Sequence, residues 1–83
     1  MDIYGSARKH GVSDNDIQHA IEHALVVADQ DDAMVLRLGP DRAGNLLEVV
    51  SVLRDDETEI VIHAMTMRRS YAALLRESGD ADE

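Results

Sequence analysis

The chain has no cysteine, no phenylalanine and no tryptophan, and a single proline among its 83 residues. The lack of cysteine excludes a disulfide framework and thiolate metal sites, and it fits a reducing compartment. Two tyrosines are the only large aromatic side chains, so a core must be built from Val, Leu, Ile, Ala and Met, and stacking platforms for nucleobases are scarce. The opening MDIYGSARKHG lacks the apolar run of a secretory leader, and no window approaches the roughly 20 apolar residues of a membrane span. The expected location is the cytoplasm, with no membrane partner.

Positive charge is also short: eight Lys and Arg face seventeen Asp and Glu, for a net charge of −9. Such a surplus repels a polyanion and slows encounter with it. It serves solubility, or offers a face to a basic partner. The charge is clustered. Asp55, Asp56, Glu57 and Glu59 crowd one probable turn, while Arg8 pairs with Lys9 in sequence and Arg68 with Arg69. The segment ESGDADE at 77–83 reads as an acidic tail beyond a single domain at 1–76. A domain of this size buries only about 60–65% of its unfolded surface and is marginal alone. Self-association or a tight partner is therefore expected.

Ser13 reads as an N-cap with Asp14 and Asp16 in the first turn, and Ile17, Ile21 and Leu25 then recur every four residues beside Ala20, Ala24 and Ala28. That spacing predicts an amphipathic helix over 14–28. After the polar DQDD, Met34, Leu36 and Leu38 alternate with Val35 and Arg37 as a strand, and GPDRAGN supplies a hairpin loop. LLEVVSVLR is nearly continuous and β-branched, as in a central strand buried on both faces. IVIHA follows, with Ile60, Ile62 and Ala64 on one face and Val61, His63 and Met65 on the other. From Met67 to Glu77 the pattern is helical, with Tyr71, Leu74 and Leu75 on one side and Gly79 as its stop. The expectation is an α+β domain: a three-stranded antiparallel meander packed by an N-terminal and a C-terminal helix. Ile17, Ile21, Leu25, Leu36, Val49 and Ile62 are the expected core.

KHGVS at 9–13 ahead of an acidic amphipathic helix, GPDRAGNLLEVV at 39–50, and IVIHA leading into a basic segment together resemble the BrnT-like toxins of the RelE/ParE superfamily. The resemblance spans about residues 8–76. It implies a sheet-and-helix domain that cleaves RNA and is neutralised by a cognate antitoxin, usually a small DNA-binding protein. The chain departs from the family pattern where His63-Ala64-Met65 replaces Ser-Ala-Arg, and where Tyr71-Ala72 replaces a Glu-Arg pair. The alternative is a toxin-fold binding module that pairs with a DNA-binding regulator without catalysis.

Metal-free RNA cleavage needs a group to take the 2′-hydroxyl proton, cationic support for the phosphate and a donor for the leaving 5′-oxygen. Histidine moves protons near neutral pH, and arginine matches phosphate geometry. His63, Arg68, Arg69 and Tyr71 supply these types within nine residues and are the catalytic candidates. Lys9, His10 and Arg42 are the RNA-binding candidates. Arg68→Ala is expected to remove activity while leaving stability near wild type, as surface changes do. His63 between Val61 and Met65 has a competing reading as a buried structural histidine. Basic residues at a helix start oppose the helix dipole unless something anionic sits there.

His19 and His23 lie four apart, with Asp16 three before the first, which is metal-compatible spacing. No third ligand is apparent, so a solvated helix face is the better reading, and no metal or cofactor is expected. GPDRAGN lacks the Lys-Ser/Thr of a phosphate-binding loop. Met65 and Met67 offer core filling or an adaptable contact for a partner helix.

Overall fold

The computed structural model describes residues 1–80. Five strands, β1 (Asp2–Ile3), β2 (Val26–Asp29), β3 (Met34–Pro40), β4 (Leu46–Leu53) and β5 (Glu59–Thr66), form one sheet in the order β1-β5-β4-β3-β2. Two helices, α1 (Asp14–Glu22) and α2 (Ala72–Asp80), complete the α+β fold. The sheet is therefore five-stranded and mixed, not a three-stranded antiparallel one. The β3-β4-β5 meander is antiparallel, β2 extends it antiparallel to β3, and β1 lies parallel to β5.

α1 starts where the sequence places it. The Ser13 hydroxyl accepts the Asp16 amide at 3.2 Å and caps the first turn. It ends at Glu22, six residues before the expected end, because Val26–Asp29 pair with β3. In β2, Val26 and Ala28 turn inward while Val27 and Asp29 face out, a two-residue alternation hidden under the Ala20-Ala24-Ala28 helical spacing. Leu25, expected in the core, is 60% exposed at this junction.

The faces of the sheet are set by a bulge. Val50 pairs with His63 but Ser51 pairs with Val61, so Ile62 is the extra residue. Ser6 Oγ donates to the Ile62 carbonyl at 2.8 Å. The bulge corrects the simple alternation of IVIHA: Val61 and Ala64 share the α1 face, and His63 shares the opposite face with its cross-strand neighbour Val50. Ile62 is thus only half-buried. Under α1, Ile17 and Ala20 pack on Leu47, Val49, Val61 and Ala64, with Ala7 from a short 3-10 helix at Gly5–Arg8 and with half-buried Ile21. On the other face, Met67, Tyr71, Leu74 and Leu75 cover Val26, Leu36 and Leu38. Ile17, Leu36 and Val49 are buried as expected.

The C-terminal segment also differs in detail. A 3-10 turn at Arg69–Tyr71 precedes α2, which runs through Gly79 to Asp80. Part of the acidic segment 77–83 thus lies in α2, and residues 81–83 lie outside the described residues. Gly39 belongs to β3 and not to the hairpin loop, and it is where α1 crosses the sheet: an added Cβ would overlap the Ala20 carbonyl oxygen and sit 3.1 Å from the Ala24 Cα. No helix among the described residues is long and apolar enough to cross a membrane.

Asp16 ties this frame together. Its Oδ1 accepts the Arg42 side chain at 2.8 Å and the Arg42 amide at 3.0 Å, joining α1 to the β3–β4 hairpin. The Arg42 side chain first, then its backbone N–H, lowers the Asp16 carboxyl from 3.8 to about 2. A lowered carboxyl stabilises the fold above its unfolded value and stops doing so as pH falls through the lowered one. Wild-type melting temperature is therefore expected to drop between pH 3.8 and about 2, and Asp16→Asn to flatten that limb. Identical acid limbs in melts of the two proteins would contradict the assignment.

Candidate functional site

Glu48 is the one charge in the apolar run LLEVVSVL, and its side chain is 0% exposed. It stands two residues from Val50 on β4, hence on the His63 face. Arg68, at the end of β5, neutralises it: Nε donates to Oε1 at 2.8 Å and Nη2 to Oε2 at 3.0 Å, and the Arg68 amide also reaches Oε1 at 3.2 Å. Burial alone pushes the Glu48 carboxyl up. The Arg68 hydrogen bonds and charge, with a smaller contribution from His63, outweigh it and hold the group below its usual range. Glu48 in turn holds the Arg68 guanidinium above its usual range.

His63 completes the cluster. Its Nε2 lies 3.6 Å from Glu48 Oε2 and, among the described residues, that buried nitrogen has no hydrogen-bond partner. The side chain is 29% exposed, which leaves Nδ1 as the nitrogen able to meet a ligand. His10 meets it, its ring edge-on to His63 with centroids 5.6 Å apart. Arg68 is 57% exposed despite its bond to Glu48, and its guanidinium lies 5.7 Å from the Tyr71 ring centre. Glu48 occupies one edge of the guanidinium fork and leaves its other N–H groups for an external anion.

Comparison with family models, with curated proteins and with solved structures finds no match to this chain. The cluster is therefore read from its own geometry.

That geometry brings together His10, Glu48, His63, Arg68 and Tyr71. Arg69 follows as an exposed neighbour. Arg42 does not join them, being committed to Asp16. Lys9 is exposed at the end of the first 3-10 helix. The anion at the start of the basic segment turns out to be Glu48 of the same chain, so the unfavourable placement of Arg68 has an internal explanation. Glu48 was the residue that sequence reasoning missed. The available signal was a lone carboxylate inside an aliphatic strand, which requires a charged partner. His19 and His23 stack at 4.3 Å, with His19 Nδ1 bonded to the Pro40 carbonyl at 2.8 Å. Among the described residues no third metal-ligating side chain joins them.

Proposed function

We propose that this chain is a metal-independent endoribonuclease of the BrnT-like toxin kind, working in the cytoplasm and neutralised by a small DNA-binding antitoxin. The observation that carries the reading is Glu48, a fully buried carboxylate that fixes an exposed arginine and faces a half-exposed histidine. Burying a charge is expensive where an aliphatic side chain would fill the strand, and ionisable clusters held this way mark functional sites.

The cluster supplies the parts of the reaction. One imidazole of the His10–His63 pair takes the 2′-hydroxyl proton, and the oxygen attacks the adjacent phosphorus. The outer N–H groups of Arg68, with Arg69, hold the phosphate oxygens as charge builds. The other imidazole protonates the departing 5′-oxygen, so the products are a 2′,3′-cyclic phosphate and a 5′-hydroxyl. Glu48 keeps Arg68 oriented and faces the His63 ring at 3.6 Å. Tyr71 offers a ring for one base.

A second reading, the non-catalytic binding module, is favoured by one specific feature. Glu48 already neutralises Arg68, so Arg69 carries the remaining guanidinium charge beside the cluster on a chain of net −9. Induction in a bacterial host separates the two. Growth arrest that His63→Gln and Arg69→Ala each abolish, at unchanged protein level, is the expected result. Continued growth on wild-type induction, without antitoxin, would leave the binding module standing.

A further inference from the structure

Acidic side chains crowd one end of the sheet, together with Arg54, whose guanidinium is tied to Thr58 and Asp2. The β2–β3 turn and the β4–β5 turn meet at one end, where the Leu53 amide donates to the Ala33 carbonyl at 2.9 Å. That end gathers the exposed side chains of Asp29, Asp31, Asp32, Asp55, Asp56 and Glu57. Arg68 follows the other end of β5, as Arg42 follows the far end of β3. At the acidic pole, on the α2 side of the sheet, a cavity of about 260 Å³ opens between the β2–β3 turn and Tyr71. Met34, Leu36 and Val50 contribute its apolar walls, and Asp31 and Asp32 its rim. Among the described residues, neither rim carboxylate has a side-chain hydrogen bond or ion pair.

From this we infer that the cavity and the surrounding acidic pole form the docking site for an arginine-bearing segment of a protein partner, one arginine side chain entering the cavity. The inference rests on the partner half of the proposed function and is independent of RNA cleavage. The apolar walls suit the aliphatic stem of arginine. The rim carboxylates suit the planar fork of its guanidinium, and the Tyr71 ring suits its face. A lysine fills the same space but neither forks nor stacks. An RNA strand is disfavoured, because its phosphates would meet six exposed carboxylates. Tyr71 borders both this cavity and Arg68, so a partner seated here also covers the approach to the Glu48 cluster.

Titrating the full-length ¹⁵N-labelled chain with an oligoarginine peptide tests this. Amide shifts are expected to concentrate at Asp31, Asp32, Met34 and Tyr71. D31N/D32N should weaken binding by roughly tenfold, the loss of one charge-assisted contact. D55N/D56N, at the same pole but outside the cavity, should weaken it much less, and an oligolysine peptide should bind less tightly than oligoarginine. Shifts confined to residues 77–83, or equal losses from the two double variants, would overturn the proposal. The wild-type shift map decides the matter even if D31N/D32N folds poorly. RNA cleavage assayed on the same samples keeps the two readings apart. Peptide at the cavity with no cleavage overturns only the nuclease, and cleavage with no peptide at the cavity overturns only the docking site.

Discussion

Arg68→Ala is expected to destabilise the fold strongly, whereas Arg69→Ala, one residue along, leaves the melting temperature at the wild-type value. This reverses the expectation that sequence alone raises for Arg68. Its guanidinium is mostly exposed, but the carboxylate it neutralises is fully buried. Removing it takes the guanidinium from Glu48 in the interior and leaves only a backbone amide and His63 beside it, and breaking a buried pair costs about 3–5 kcal/mol. Glu48→Gln should be milder, because Arg68 then returns to water. The pH dependence carries the sharper signature. In the wild type Glu48 is held below its ordinary range, so its contribution is present above the unfolded carboxylate value and lost as pH falls. In Arg68→Ala the hydrogen bonds and charge of the guanidinium are gone, burial outweighs the remaining backbone amide and His63, and the carboxyl rises, so the variant loses stability as pH rises through the raised value. His63 faces Glu48 and His10 faces His63. Melts across the acid to neutral range should show Arg68→Ala falling further below the wild type as pH rises, and parallel profiles would refute the role given to Glu48.

The second large effect belongs to Gly39. An alanine there would drive its Cβ into the Ala20 carbonyl, with the Ala24 Cα 3.1 Å away, and neither backbone atom can rotate aside. α1 must lift from β3 and carry Ile17 and Ala20 out of register with the core beneath. Overpacking of this kind costs about 1–3 kcal/mol, and more when a helix has to move. For a domain of this size, Gly39→Ala should lower the melting temperature by roughly 10 °C. Gly5→Ala, with open space around its position, should leave it unchanged. Equal melting temperatures for the two variants would mean that α1 does not cross the sheet at Gly39.

The sequence made the α1 start and the β3-β4-β5 meander legible, because a capping serine, acidic first-turn residues and β-branched runs act locally. β1 was not legible. Two residues carry no period, and Asp2–Ile3 become a strand only because β5 offers them an edge. β2 was masked because Ala20, Ala24 and Ala28 fit a helical stripe as well as Val26 and Ala28 fit a strand, and only pairing with β3 decides between them. The Ile62 bulge reassigns the faces of β5 and leaves His63 opposite Val50, which period-two reasoning cannot foresee. His63 and Arg68 were visible as residue types suited to RNA. Their anchor was not, because Glu48 lies twenty residues before Arg68 and meets it only across two strands of the sheet.

Whether the cluster cuts RNA shows in the end chemistry of RNA incubated with purified wild-type protein in a chelator. Expected are fragments bearing 2′,3′-cyclic phosphate and 5′-hydroxyl ends, no cleavage where the scissile nucleotide is 2′-deoxy, and loss of cleavage in His63→Gln at an unchanged melting temperature. Intact RNA after prolonged incubation with folded wild-type protein, or undiminished cleavage by folded His63→Gln, would contradict cleavage by this cluster.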